Sequence, residues 1–299
     1  MDMLRITDLH KRFGDKEVLR GLNLSVPEHS IYGFIGKNGV GKTTTMKAVL
    51  GLIRVDGGEI LVNGDPVVYG QTSTSRYIGY LPDVPEFYSF MTAREYLAFC
   101  GEISGMKRAE CQARGEELLD LVGLGDEKHR IKGYSRGMKQ RLGIAQALLN
   151  RPKLLICDEP TSALDPVGRK EILDILLTAR EQTTVLFSTH ILSDVERICT
   201  DVAFLNNGIV EIQGKLPDIK TRYRREEYLL EPADLQGALA LTRAFPLLKP
   251  LGNNQFTFSE SDLASHDVLR FVSDSHIALL KWERIEPTLE SLFMEVTRK

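Results

Sequence analysis

Hydrophobic and polar positions alternate at the start of the chain in the manner of β-strands. The alternation runs over residues 4–9 and returns over residues 22–26. A third run, residues 59–62, is followed by Asn63-Gly64, a dipeptide typical of a tight hairpin turn. The N-terminal part is therefore expected to form an antiparallel β subdomain.

The spacing becomes helical in the middle of the chain, over residues 91–150. Met138, Leu142, Ala145 and Leu149 recur there at steps of four, three and four, which gives a helix one apolar face. This part is expected to be rich in helices.

Strongly apolar runs follow at residues 153–157 and 184–188, with a helix-like stretch at 167–181 between them. Because parallel strands need a crossover connection, this unit predicts a parallel sheet and an α/β core. A closing hairpin is predicted over residues 202–212.

A polar run at residues 220–227 predicts a linker or an exposed helix end, and after it the pattern restarts. The expected elements are a strand near 228–231, a helix near 233–243, strands within 247–258, a helix near 263–274, a strand near 277–284 and a helix near 287–297. We therefore predict two domains, 1–219 and 220–299, of which the second is a small α+β accessory or regulatory unit.

One loop carries the strongest chemical signal of the chain. Residues 36–43 read GKNGVGKT and fit the phosphate-loop pattern, between a strand-like run and a helix-like run. The glycines let backbone N–H groups form a phosphate cradle at a helix N-terminus. Lys42 is expected to reach the terminal phosphates, and the Thr43 hydroxyl to bind Mg²⁺. The residues predicted to hold the nucleotide here are Gly36, Asn38, Gly39, Gly41, Lys42, Thr43 and Thr44.

Two carboxylates, Asp158 and Glu159, end the apolar run that begins near residue 153. In parallel sheets, functional groups gather at the carboxyl ends of strands. Asp158 is expected to hold Mg²⁺ directly or through water, and Glu159 to polarise the water that attacks the γ-phosphate.

Composition narrows the setting. The net charge of −3 argues against a nucleic-acid binder, which usually carries a basic surplus. The sequence has no apolar run of about 18 residues that would span a membrane, and its start lacks the apolar core of a signal peptide. Four scattered cysteines show no C-x-x-C spacing and are interpreted as reduced thiols. These features predict a cytoplasmic protein.

The order of these motifs resembles the nucleotide-binding domain of the ATP-binding-cassette (ABC) family. Residues 134–141, YSRGMKQR, resemble its signature sequence, residues 162–165 its D-loop, and Thr189-His190 its switch histidine. The resemblance implies a P-loop NTPase core with an antiparallel β subdomain and a helical signature subdomain, binding ATP and Mg²⁺.

The resemblance also assigns roles to single residues. Ser135 and the backbone at Gly137 are expected to bind the γ-phosphate of ATP held by the opposite subunit. His190 is expected to contact the γ-phosphate of the ATP that its own subunit binds, and to orient Glu159. The expected catalytic residues are therefore Lys42, Glu159 and His190. Phe13 matches the aromatic residue that stacks on adenine, although a single Phe in a strand also fits a core position.

Three positions, in two segments, depart from the commonest family pattern. Asp83 stands where the family usually has a glutamine that ligates Mg²⁺ and senses the transporter partner, so Asp83 is a third metal candidate. Arg136 and Met138 stand where glycine and glutamine are commonest. Both departures, and the tail at residues 287–293, resemble the export-type, ABC-2-like branch.

The favoured interpretation is the ATP-hydrolysing subunit of an exporter, peripheral on the inner face of the cell membrane and touching it only through a separate permease. Two such domains, identical or different, would sandwich ATP; no nucleic-acid partner is expected. The aromatic stretch at residues 87–90 is a plausible permease dock, with ordinary local packing as the alternative.

Two alternative functions share the phosphate loop with this interpretation. A soluble ATP-driven switch on ribosomes or DNA usually carries two cassettes or long coiled-coil insertions, and this sequence has neither. A small-molecule kinase needs no phosphate-binding serine from a second subunit.

Overall fold

The computed structural model describes residues 2–223, 226–285 and 288–297. It divides into two compact units, Met1–Pro217 with Val296–Lys299, and Asp218–Glu295. Arg224 and Arg225 of the predicted linker, and Pro287 of the export-like tail, lie outside the described residues.

The first unit contains two sheets and the helices that surround them. Its strands are β1 (Asp2–Phe13), β2 (Lys16–Pro27), β3 (Ile31–Ile35), β4 (Gly57–Val62), β5 (Asp65–Pro66), β6 (Ile78–Leu81), β7 (Leu154–Asp158), β8 (Thr184–Thr189), β9 (Asp201–Asn206) and β10 (Ile209–Lys215). Its helices are α1 (Lys42–Val49), α2 (Ala93–Ile103), α3 (Arg108–Leu121), α4 (Arg136–Leu148), α5 (Pro166–Ala179) and α6 (Leu192–Ile198), and α7 (Leu216–Arg222) follows β10.

The first sheet is antiparallel, with the strand order β2-β1-β4-β5. The predicted hairpin turn is present, since Asn63 and Gly64 join β4 to β5 with φ angles of 51° and 82°. Two successive positive φ angles match the right-handed twist of the flanking strands. The predicted antiparallel β subdomain is thereby confirmed.

The second sheet has the order β10-β9-β3-β8-β7-β6, and all its pairs are parallel except β9–β10. β3, β7 and β8 are buried along their whole length, as expected for strands covered on both faces. The carboxyl ends of these three adjacent strands meet at one edge. The loop before α1, the Asp158-Glu159 pair and His190 all follow from that edge.

One hydrophobic core joins the two sheets and α1. Leu4 and Leu22 from the antiparallel sheet, Phe34 and Ile156 from the mixed sheet, and Met46 from α1 are all buried in it. Because α1 is packed into this core, the loop that precedes it is held between rigid elements.

α2, α3 and α4 form the predicted helix-rich part. Thr92 begins α2 with a capping box to Glu95, and Ser135 caps α4 by accepting a hydrogen bond from the Met138 N–H. The predicted apolar face of α4 is present: Leu142, Ala145 and Leu149 are buried and Met138 is half-buried.

The second unit has the elements β11 (Glu227–Pro232), α8 (Leu235–Ala244), β12 (Lys249–Gly252), β13 (Gln255–Ser259), α9 (Ser265–Asp274), β14 (Leu279–Ile285) and α10 (Leu289–Thr297). Its antiparallel sheet has the order β12-β13-β11-β14, which with the two intervening helices gives a ferredoxin-like βαββαβ connectivity. Leu230, Leu241, Phe256, Phe258 and Val268 form its own core.

Across the described residues of both units, none of the helices combines the length and the apolar character of a membrane span.

Candidate functional site

The loop between β3 and α1 is shaped by its glycines. Gly39 and Gly41 have φ angles of 82° and 116°, a range that strains residues with a side chain. A Cβ on Gly41 would also lie 2.8 Å from Leu19 Cδ2. Within the described part of the chain, no side chain caps the start of α1. Its first N–H groups can therefore receive an anion, which a helix N-terminus favours.

Lys42 is held inside this loop, with only 6% of its surface exposed. Its Nζ donates a hydrogen bond to the Gly36 carbonyl at 2.7 Å and lies 3.1 Å from Glu159 Oε1. The ammonium group is thus fixed between backbone and carboxylate. An incoming anion has to compete with Glu159 for it.

Asp158, the last residue of β7, is almost fully buried and tied to two hydroxyl groups. Thr43 Oγ1 donates to its Oδ2 at 2.7 Å, and Ser188 Oγ donates to its Oδ1 at 2.6 Å. The register of β7 against β8 places Asp158 opposite Ser188. The carboxylate is therefore held against the phosphate loop, and together with the Thr43 hydroxyl it offers the hard oxygen atoms that Mg²⁺ prefers.

Glu159 and His190 form a carboxylate–imidazole pair. Glu159 Oε2 and His190 Nδ1 are 2.9 Å apart; Glu159 is largely buried, whereas His190 is half-exposed. The Glu159 N–H donates to both the carbonyl and the hydroxyl oxygen of Ser188, at 3.2 and 3.1 Å. Such a pair can orient and deprotonate water at the mouth of a cleft.

These groups surround one cleft of about 310 Å³. Its lining residues are Asn38, Gly39, Gly41, Lys42, Thr43, Thr44, Asp83, Asp158, Glu159, Ser162 and His190. The cleft thus contains most of the residues that the sequence predicted for the site. Among them are all three catalytic candidates and all three metal candidates.

Two ionisable side chains near Asp158 have raised pKa values. Burial, followed by the charges of Asp158, Cys157 and Asp83, raises the pKa of Tyr80 to about 12. Burial and the charge of Asp158 also raise the pKa of the Cys157 thiol. Burial is the larger cause of both shifts, and Asp158 is the carboxylate that contributes to both.

Phe13 does not line this cleft. It ends β1 with 52% of its surface exposed, and Lys11 Nζ lies 5.0 Å from the ring centroid. Its exposure departs from the core position that a Phe in a strand also suggested, and leaves ring surface open for stacking.

Ser135 and Gly137 are also outside the cleft. Ser135 is exposed at the start of α4, and its Oγ accepts a hydrogen bond from the Met138 N–H at 3.2 Å. This second helix N-terminus presents a hydroxyl and backbone donors to the protein surface.

Asp83 lies at the rim of the cleft and makes a contact that the sequence did not predict. Its Oδ1 is 3.7 Å from Arg136 Nη2, and both side chains are about half exposed, at 47% and 48%. Asp83 and Arg136, two of the three positions that depart from the commonest family pattern, are therefore neighbours in the structure. Their charges attract each other across the gap between the loop after β6 and the start of α4.

Ser188 was missed by the sequence analysis, although its hydroxyl contacts both Asp158 and the backbone of Glu159. Its position in the sequence could have identified it, because Ser188 lies two residues before His190 in a strand predicted to run beside the Asp158 strand.

Comparison of the sequence with known proteins points to one family. A family model described as ABC transporter matches residues 19–162. The ABC transporter ATP-binding protein YxlF of Bacillus subtilis (strain 168) is 37% identical over 297 residues, covering 98% of this chain and 99% of YxlF. The bacitracin transport ATP-binding protein BcrA of Bacillus licheniformis is 39% identical over 230 residues, covering 76% of this chain and 74% of BcrA.

A solved structure agrees. The ATP-binding subunit of an ABC transporter superposes with a TM-score of 0.66 at 32% sequence identity, covering 74% of this chain and 93% of that subunit.

Proposed function

The chain belongs to the ABC transporter ATP-binding proteins, which are ATPases, and from that premise we propose that it drives export through a separate transmembrane permease. The observation that carries the ATPase chemistry is the single cleft that joins Lys42, Thr43, Asp158, Glu159 and His190. The export direction is supported by similarity to BcrA, which is named for bacitracin transport.

Within the cleft, we assign nucleotide binding to the phosphate loop and Lys42. The backbone N–H groups from Asn38 to Thr44 would surround the phosphates, whereas the Gly36 N–H donates to the Thr189 carbonyl, and Lys42 leaves Glu159 to pair with the β- and γ-phosphates. Breaking the Lys42–Glu159 contact frees the carboxylate of Glu159. ATP binding thereby prepares the base that hydrolysis needs.

Glu159 then orients the attacking water, while His190 holds the carboxylate through Nδ1 and faces the γ-phosphate. Preorganised charge of this kind is the main source of catalysis in phosphoryl transfer, because the transition state needs positioning and charge neutralisation.

Mg²⁺ fits the residues present only together with the nucleotide. Among the described residues, no group of three or more His, Cys, Asp and Glu side chains is placed to hold a metal by itself. Thr43 and Asp158 supply one hydroxyl and one carboxylate, with Asp83 at the rim, and Mg²⁺ typically completes such a set with phosphate oxygens and water. When bound, the ion would neutralise phosphate charge.

We further propose that two ATPase domains pair, so that Ser135 and the Gly137 backbone contact ATP in the opposite subunit. The support is their location: they lie outside the cleft of their own chain, yet Ser135 is exposed at a helix N-terminus suited to anions.

The permease is proposed to contact the aromatic segment that follows Asp83. Phe87 packs edge-on against Tyr96 with ring centroids 5.1 Å apart, and Tyr88 packs against Phe99 at 5.6 Å. Tyr88 and Phe90 nevertheless expose 51% and 62% of their surfaces. Local packing anchors this segment, and exposed apolar surface remains for a partner.

Residues 220–299 are proposed to act as an accessory domain that regulates the ATPase or supports its dimer. It has its own core, and its predicted elements carry no nucleotide motif.

The test is purification of the tagged chain from detergent-solubilised membranes. We expect a multi-span membrane protein to co-purify and to stimulate ATP hydrolysis, and we expect the stimulation to vanish in Lys42→Ala. Co-purification with ribosomes or DNA instead would favour the soluble-switch alternative.

A further inference from the structure

Asp194 is a buried carboxylate near the cleft with no role in the mechanism above. It lies in α6, and only 3% of its surface is exposed. Thr161 Oγ1 donates to its Oδ2 at 2.7 Å, and Arg169 Nη2 donates to its Oδ1 at 2.6 Å. One carboxylate oxygen therefore holds Thr161, in the segment between β7 and α5, and the other holds Arg169 in α5 itself.

That segment has an unusual backbone. Glu159 and Ala163 have φ angles of 49° and 51°, in the left-handed range that residues other than glycine seldom adopt. Thr161 lies midway between them and is buried, and the next residue, Ser162, lines the cleft. Strained conformations persist only where surrounding contacts fix them. The Thr161–Asp194 hydrogen bond fixes the midpoint of this segment.

The segment that follows β7 and the segment that follows β8 contact each other at two points. Glu159 contacts His190 at 2.9 Å at the solvent side, and Thr161 contacts Asp194 at 2.7 Å in the interior. Glu159 and Thr161 are two residues apart in the sequence, and His190 and Asp194 are four residues apart. The inner connection therefore limits how far the Glu159 and His190 backbones can move apart.

We propose that Asp194 is a positioning residue for ATP hydrolysis, which holds Glu159 and His190 in register by binding Thr161 and Arg169. The proposal rests on the assignment of Glu159 as the base. Asp194 itself touches neither the nucleotide nor the reacting water. It acts on the catalytic step and spares nucleotide binding, because the phosphate loop is held by β3 and α1.

The chain offers a matched pair for comparison. Arg197 Nη2 and Asp174 Oδ1, 2.8 Å apart, join the same helices, α5 and α6, through the same chemistry. Both of those side chains are exposed, at 40% and 50%. If the Asp194–Arg169 pair merely fastened α5 to α6, loss of either pair should lower the melting temperature and leave kcat of the folded protein unchanged, with the larger loss of stability at the buried pair.

The experiment compares Asp194→Asn and Thr161→Val with the controls Asp174→Asn and Thr178→Val in the full-length chain. Melting temperature verifies folding, binding of a non-hydrolysable ATP analogue gives Kd, and steady-state hydrolysis gives kcat. We expect kcat to fall about tenfold or more in both test variants, with Kd changed less than about threefold, because small misplacements of a base are costly. Thr161→Ser should rescue most of the rate lost in Thr161→Val.

A second measurement separates positioning from general damage. If Asp194 acts through Glu159, Asp194→Asn should change single-turnover hydrolysis less than about twofold in a Glu159→Gln background. Losses that add fully in the double variant, or equal losses in kcat and affinity, would overturn the proposal. Normal kcat in both test variants would also overturn it, while an active Glu159→Gln variant would instead refute the underlying base assignment.

Discussion

The two helix N-termini suited to phosphate differ in how completely the chain surrounds them. At α1, Lys42 is buried, Asp158 is held by two hydroxyl groups, and Glu159 and His190 close the cleft. At α4, Ser135 is exposed, and Nη2 of the flanking Arg136 lies 3.7 Å from Asp83 Oδ1. The start of α1 lies in an assembled cleft, whereas the start of α4 is exposed, and phosphate binding there is our proposal. This contrast favours a site completed by a second subunit.

The largest effect on ATP binding and hydrolysis is expected from a substitution in the cleft at the start of α1. Lys42→Ala should lower ATP binding or hydrolysis by about a hundredfold or more, because it removes the buried cation on the β- and γ-phosphates. Lys47→Ala, an exposed position on the same helix, is the control for charge alone. Near-normal turnover in Lys42→Ala would remove the basis for the phosphate-loop assignment.

Glu159→Gln should retain ATP binding and slow hydrolysis by about two orders of magnitude or more, because the amide keeps the shape but cannot take the proton. Because turnover is blocked, a dimer of Glu159→Gln should accumulate in the presence of ATP and be visible by gel filtration. The control variant Glu181→Gln, at a surface position, should not accumulate a dimer. A monomeric and fully active Glu159→Gln variant would contradict both the base role and the paired arrangement.

A smaller effect is expected at the rim. Attraction of Asp83 to a metal ion and its repulsion of phosphate largely cancel, so Asp83→Gln should change ATP affinity little. The Asp83–Arg136 pair is half-exposed and should contribute less than about 1 kcal/mol to stability. We expect Asp83→Gln and Asp83→Ala to alter permease-stimulated hydrolysis more than the basal rate. A basal loss as large as that of Lys42→Ala would make Asp83 a core metal ligand.

The smallest effect is expected from truncation. A chain ending at Lys215 retains both sheets of the first unit and should bind ATP with unchanged affinity, measured by titration with a fluorescent analogue. If the truncated chain folds but does not bind, the proposed division of labour between residues 1–219 and 220–299 is wrong.

Contiguous motifs were predictable from the sequence, because a phosphate loop or an acidic strand end places its chemistry within a few neighbouring residues. Contacts set by strand register were not. Ser188 reaches Asp158, Asp194 reaches Thr161, and Arg136 approaches Asp83 only after the parallel sheet and α4 have formed. The second unit shows the same limit. Its strands were predicted, but the order β12-β13-β11-β14 depends on pairing between distant segments.

Subunit mixing tests the central claim most directly. Lys42→Ala disables a subunit's own cleft, and Ser135→Ala disables the surface offered to its partner, while Thr92→Ala controls for loss of a helix cap in the same helical part. In a mixed dimer, one composite site combines the intact Lys42 of one chain with the intact Ser135 of the other. We predict that mixing the two weakly active variants restores hydrolysis well above the sum of their separate rates. Activity equal to that sum, with mixed dimers demonstrated by tag pull-down, would contradict a site shared between subunits.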